Sequence, residues 1–109
     1  VLGTFADTGA SNAAYQEMLD AVPPAAGEVR TTAQPIAPST LLGLTDLSRE
    51  RLFRYQGSLT TPPCSEGVWW LVMKHHPTVS KAQVEQFSKT LGFANNRPVQ
   101  PVFARPVLR

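Results

Sequence analysis

The run Gly67–Met73, GVWWLVM, limits the fold more than any other stretch of this chain. Side chains alternate along a strand, so Val68, Trp70 and Val72 fall on one face and Trp69, Leu71 and Met73 on the other. Both faces are apolar, which predicts a strand covered on both sides rather than a half-wet one. The chain has 109 residues, 42% of them hydrophobic. That is a one-domain length with a globular composition, and the core it can bury is thin.

Around this strand the spacing predicts short elements. Asp7–Asn12 is turn-like, and Ser11 and Asn12 are both suitable N-caps. Tyr15, Met18, Leu19 and Val22 then follow at i, i+3, i+4 and i+7, one face of a helix. Pro23-Pro24 ends it, and residues 23–40 read as a surface connection. Leu41, Leu42, Leu44 and Leu47 form an apolar patch, a turn of helix. Arg51–Tyr55 alternates as a strand. Ser80 is an N-cap with Gln83 completing a capping box. Val84, Phe87 and Leu91 mark the inner face of the helix behind it, and Gly92 stops that helix. Asn95-Asn96-Arg97-Pro98 is a turn. Val99–Leu108, interrupted by prolines, suits an edge strand.

Val1-Leu2-Gly3-Thr4-Phe5 reads like the middle of a buried strand, and termini usually fray in solvent. The expectation is that the natural sequence continues upstream of Val1.

Several function classes drop out. The net charge of +2 and pI near 9.0 come from Lys and Arg scattered along the chain. Without a basic run or stripe, nucleic acid is not an expected partner. No apolar stretch approaches the roughly 18 residues that cross a bilayer, so no membrane partner is expected. The first residues lack a charged n-region and a long apolar h-region, so no signal peptide is expected among them. Cys64 is the only cysteine, so it forms no intrachain disulfide and joins no Cys/His cluster for a structural metal. It is either a small buried thiol or one half of a bridge to sequence outside this chain.

The chemistry concentrates in YQGSLTTPPCSEGVWW, Tyr55–Trp70. Pro62 and Pro63 fix φ and push the residues before them out of helical space. Thr60 and Thr61 are therefore expected on a rigid extended segment entering a strand. A threonine hydroxyl accepts one hydrogen bond while donating another, so a fixed one distinguishes a hydroxide from a water. Leu59, Val68 and Trp70 are placed to wall an apolar pocket beside it. An apolar wall facing an aimed hydroxyl suits a small, uncharged, electrophilic substrate. The plainer reading is a TTPP turn with two core tryptophans.

GSLTTPPCSEGVWWLV resembles the signature of the α-class carbonic anhydrases. VLG at residues 1–3 resembles the family strand that carries a pocket valine, and NNRPVQP at residues 95–101 resembles the family pattern N-x-R-P-x-Q-P. The resemblance runs over essentially the whole chain but covers only the C-terminal half of such an enzyme. Residues 1–109 are thus expected to be the C-terminal portion of a single domain. The implied fold is mainly β with α+β character: a large, twisted, mostly antiparallel central sheet with short peripheral helices. The implied activity is reversible hydration of CO2 to bicarbonate and a proton, with Zn2+ as cofactor and a zinc-bound hydroxide as nucleophile.

Residue by residue, Thr60 resembles the gatekeeper that accepts from the hydroxide and donates to a buried glutamate. Its backbone N–H would meet bicarbonate or a sulfonamide-type anion. Thr61 resembles its neighbour that contacts bicarbonate and ordered water. Val1, Leu59, Val68 and Trp70 resemble the CO2 pocket. Asn95 resembles the residue whose backbone carbonyl orients a zinc-binding histidine. Cys64 resembles a cysteine that pairs, in secreted members, with one near the enzyme's N-terminus, and Arg97 a structural residue. Location by analogy is periplasmic or secreted.

The family holds zinc with three histidines. This chain has two, His75 and His76, and adjacent strand residues face opposite sides. They match no ligand position, and an exposed pair at a strand end is the expectation. The ligands, the glutamate partner of Thr60 and a proton-shuttle histidine would then lie upstream. Three readings follow. The chain is the substrate-pocket half of a carbonic anhydrase, inactive alone, whose partner is the missing N-terminal half or another copy of the chain. It is a non-catalytic carbonic-anhydrase-like binding module. Or it is an inactive fragment.

Overall fold

A computed structural model describes residues 1–44 and 51–109. Leu47 of the predicted leucine patch lies outside the described residues. The elements run β1 (Leu2–Gly3), β2 (Asp7–Thr8), α1 (Ala13–Asp20), α2 (Pro38–Leu41), β3 (Leu52–Ser58), β4 (Glu66–Met73), β5 (Thr78–Val79) and α3 (Lys81–Leu91). The run GVWWLVM is the centre of its sheet, with strand order β1-β4-β3. β3 pairs with β4 antiparallel and β1 pairs with β4 parallel. β2 and β5 form a separate parallel pair.

Register sorts the side chains into two faces. Tyr55 lies opposite Trp70, Phe53 opposite Val72 and Gly57 opposite Val68, all on one face. Leu52, Arg54 and Gln56 lie opposite Met73, Leu71 and Trp69 on the other. The second face is therefore partly polar. The full covering expected for β4 is also not present. Met73 is 1% exposed, whereas Trp69 is 49% exposed, and Val68, Trp70, Leu71 and Val72 are half-buried. The Arg54 guanidinium lies 5.4 Å from the Trp69 ring centroid and covers part of the indole.

The helices are capped as the sequence suggests. Of the two candidates, Asn12 is the N-cap of α1, its side-chain oxygen accepting from the Tyr15 N–H. Ser80 and Gln83 form a capping box on α3, and Gly92 ends it in the left-handed conformation. α1 stops at Asp20, before Pro23. The inner face of α3 differs from the expectation. Gln83 is 3% exposed and Val84 45%, because the Gln83 amide is drawn inward to the N-cap of α1. α1 packs on α3, and the buried apolar side chains are Leu19 on α1, Met73 at the end of β4 and Val79 on β5.

The C-terminal tail is not the predicted strand. It touches the free edge of β3 at one antiparallel bridge, Arg54 with Leu108, while Arg105 donates to the Gln56 carbonyl at 3.2 Å. Prolines at 98, 101 and 106 remove donors that a longer ladder needs.

The accessible surface is 8300 Å² for 11.9 kDa, against roughly 5,900 Å² for a folded monomer of that mass. The radius of gyration is 15.8 Å, against about 13 Å for a compact domain of this length. Val1, Leu2, Phe5, Trp69 and Phe93 are among the large apolar side chains left exposed.

Candidate functional site: the hairpin between β3 and β4

The segment Leu59–Ser65 joins β3 to β4. Its neck closes where the Leu59 N–H donates to the Ser65 carbonyl at 2.9 Å. Within it the Cys64 N–H donates to the Thr61 carbonyl at 2.9 Å across a cis Pro62-Pro63 bond, a turn form that places a cis proline third. Thr60 and Thr61 thus sit on a bend leaving β3, not on an extended entry to the next strand. Both are exposed.

β4 is irregular beside this loop. Gly57 pairs with Val68, but Ser58 pairs with Glu66. The extra residue is Gly67, at φ +86, a conformation that favours glycine at a bulge. On the opposite strand a Cβ on Gly57 would lie 3.0 Å from Trp70 Cδ1 and 3.2 Å from Tyr55 Cε2. That bare backbone lets the Tyr55 and Trp70 rings stack nearly parallel, centroids 6.4 Å apart. It also lets Trp70 Nε1 donate to the Ser58 carbonyl at 3.0 Å.

Val1 continues β1 by one residue. Its backbone nitrogen donates to the Trp69 carbonyl at 2.7 Å, and its carbonyl accepts from the Leu71 N–H at 2.9 Å. Leu2 pairs with Leu71, so parity puts Val1 on the face of Trp70 and Val68. A Cβ on Gly3 would lie 3.7 Å from Trp70 Cζ3 and 3.9 Å from Val72 Cγ2, so β1 faces the Trp70 ring at ordinary packing distance. Leu59 is 39% exposed at the loop neck.

Arg97, in the segment after α3, reaches the same loop. Its Nη1 donates to Ser58 Oγ at 2.7 Å and to the Leu59 carbonyl at 3.2 Å. A cleft of about 240 Å³ opens there, lined by Ser58, Cys64, Glu66, Arg97 and Arg105 among others. Cys64 is a partly exposed free thiol at φ 58. Asn95 is exposed on the irregular segment between α3 and Arg97. Sequence reasoning missed the Arg97 contact with the loop. The available signal was a cation in NNRPVQP, with no indication of which carbonyls it would meet.

His75 and His76 are exposed beyond the end of β4. The His75 carbonyl accepts from Thr4 Oγ1 at 3.2 Å, and His76 Nδ1 lies 3.4 Å from Asp7 Oδ1. No three His, Cys, Asp or Glu among the described residues are grouped to hold a metal. Two exposed neighbours do not fit a three-histidine zinc centre.

A family model described as eukaryotic-type carbonic anhydrase matches residues 1–109. The carbonic anhydrase of Neisseria gonorrhoeae is 43% identical over 108 residues, spanning 99% of this chain and 41% of that protein. The α-carbonic anhydrase of Thermovibrio ammonificans, solved with the inhibitor sulfanilamide, superimposes with a TM-score of 0.88 at 42% identity, over 99% of this chain and 46% of that one. A carbonic anhydrase from Chlamydomonas reinhardtii in complex with acetazolamide gives 0.83 at 34% identity, over 97% of this chain and 48% of that one. The mixed sheet with its few short helices has an α-type carbonic anhydrase fold. The chain belongs to the eukaryotic-type carbonic anhydrase family, and it spans less than half the length of these relatives.

Proposed function

We propose that this chain is the substrate-facing part of a zinc-dependent carbonic anhydrase, the C-terminal portion of one domain whose metal ligands lie outside it. The observation that supports this most directly is the shared face of Val1, Val68 and Trp70 on the sheet whose hairpin exposes Thr60. CO2 is small and uncharged, so an apolar face holds it by displacing water rather than by hydrogen bonding. Leu59 at the neck extends that face. The Thr60 hydroxyl accepts one hydrogen bond and donates one, which fixes the approach of an oxygen nucleophile to carbon. The Thr60 N–H and the Thr61 hydroxyl then meet the negative charge of bicarbonate, and a sulfonamide-type anion occupies the same place. Asn95 supports the metal-bearing part through its carbonyl. Cys64 pairs with a cysteine outside this chain, which suits a periplasmic or secreted enzyme.

The test is reconstitution. Alone, the chain is expected to bind no stoichiometric zinc and to hydrate no CO2 above buffer. Joined to a segment carrying an H-x-H strand and a third histidine, it is expected to gain both. Zinc and hydratase activity in the isolated chain would overturn the division of labour. A joined protein that lacks both would be a carbonic-anhydrase-like binding module instead.

A further inference from the structure

Two peptide units lead from Ser58 to Thr60, and they contain four hydrogen-bonding groups. Three are paired. The Ser58 carbonyl accepts from Trp70 Nε1 at 3.0 Å, the Leu59 N–H donates to the Ser65 carbonyl at 2.9 Å, and the Leu59 carbonyl accepts from Arg97 Nη1 at 3.2 Å. The fourth is the Thr60 N–H, which has no acceptor among the described residues. It sits on an exposed bend.

Covalent geometry links the third group to the fourth. The Leu59 carbonyl and the Thr60 N–H belong to one planar unit, and in a trans peptide they point to opposite sides of it. Only the Pro62-Pro63 bond is cis among the described residues. A guanidinium fixed on the oxygen therefore fixes the direction of the N–H. A cation on the carbonyl also draws electron density toward oxygen, which strengthens the opposite N–H as a donor. Arg97 is itself anchored, because the same nitrogen donates to Ser58 Oγ at 2.7 Å.

The geometry points to Arg97 as a positioning residue that aims and polarises the Thr60 backbone N–H toward an anionic ligand, so that it sets anion affinity without touching the anion. This rests on the reading of Thr60 proposed above. A merely structural role would have Arg97 tie the C-terminal segment to the loop, with either of its two contacts sufficient.

The experiment uses the reconstituted enzyme with R97A, R97K and S58A variants. Sulfanilamide affinity, zinc content and the amide resonance of Thr60 are read for each. R97A is expected to retain zinc, to bind sulfanilamide about tenfold to 100-fold more weakly, and to shift the Thr60 amide resonance before any ligand is added. S58A keeps the carbonyl contact but loses the Oγ anchor of Arg97, and it is expected to weaken sulfanilamide binding by less than about fivefold, clearly less than R97A. An unchanged affinity and Thr60 resonance in R97A overturns the inference, and so does S58A losing as much as R97A. If R97A does not fold, R97K decides. Its ammonium ends one bond short of Nη1 and cannot hold the Ser58 Oγ and the Leu59 carbonyl at the same distances, so a Thr60 resonance unmoved from wild type would overturn the inference. A wild-type enzyme that does not bind sulfanilamide refutes the functional reading itself. The ligand-free Thr60 resonance judges the aiming geometry separately.

Discussion

Gln83 Nε2 donates to the Asn12 carbonyl at 2.7 Å while the Asn12 N–H donates to Gln83 Oε1 at 3.0 Å. This reciprocal pair joins the N-cap of α1 to the first turn of α3 across 71 positions of sequence. The same Oε1 accepts from the Ser80 N–H at 3.0 Å. One buried amide thus satisfies the starts of two helices. Gln83→Ala leaves Asn12 and Ser80 groups unpaired and is expected to cost about 2–4 kcal/mol. Gln83→Glu keeps the acceptor but sets a carboxylate against the Asn12 carbonyl, and it should recover little of the loss. Urea midpoints of the three proteins at equal concentration check this, and a wild-type midpoint in Gln83→Ala would refute it.

The same pair shows where the sequence is legible. The Ser80–Gln83 capping box, the Gly92 stop and the Asn12 cap are local, set by residues within one turn, and each lies where the pattern predicts. The burial of Gln83 is not local. Its second partner is far along the chain, and that partner turns α3 so that Gln83 rather than Val84 faces inward. The tail after Pro98 failed as a strand for a similar reason. Its alternation is real, but its prolines leave few donors, and Arg105 side-chain contacts replace a ladder. At the site, TTPP announces a fixed bend and GVWWLVM announces the strand beside it. The grip of Arg97 on Ser58 and Leu59, 39 and 38 positions away, leaves no periodic trace.

Gly57 is the narrowest point under the site. A methyl there meets Trp70 and Tyr55 at 3.0 and 3.2 Å, and the aromatic pair has no slack because the indole also bonds the Ser58 carbonyl. Gly57→Ala is expected to destabilise by about 1–3 kcal/mol. It should also shift tryptophan fluorescence as Trp70 leaves its stack. Gly67→Ala gives a contrast, because no atom lies within 4 Å of its would-be Cβ while its φ is +86. Its cost is expected to be about 1–2 kcal/mol, with the Trp70 emission unchanged. Equal fluorescence shifts in the two variants would contradict the packing argument.

The surplus surface has a consequence for the isolated chain. Roughly 2,400 Å² more than a compact monomer exposes is comparable with one partner's share of a large obligate interface. Val1, Leu2 and Phe5 are 51–64% exposed along the β1 side, where the sheet edge carries no neighbour among the described residues. Such edges recruit other strands. The chain alone is expected to associate as concentration rises and to bind a hydrophobic dye. A complementary segment should abolish both effects. A monomer by light scattering across a hundredfold concentration range, with no dye binding, would count against it.

The hydroxyl of Thr60 can be separated from its backbone. Thr60→Ser keeps the oxygen and loses a methyl, whereas Thr60→Val keeps the shape and loses the oxygen. Neither alters the peptide unit held by Arg97. If the hydroxyl orients the nucleophile, Thr60→Val in the reconstituted enzyme should lower kcat/KM for CO2 by about 10²-fold, the scale of removing one aligned hydrogen-bonding group. Thr60→Ser should lose less than about tenfold, through added rotamer freedom at χ1. Zinc content should be unchanged in both, because no metal ligand is touched. Sulfanilamide binding through the backbone N–H should fall less than turnover does in Thr60→Val. That split assigns the N–H to anion binding and the hydroxyl to catalysis. Parallel losses of turnover and sulfanilamide affinity would merge the two roles, and full activity in Thr60→Val would remove the hydroxyl from the reaction.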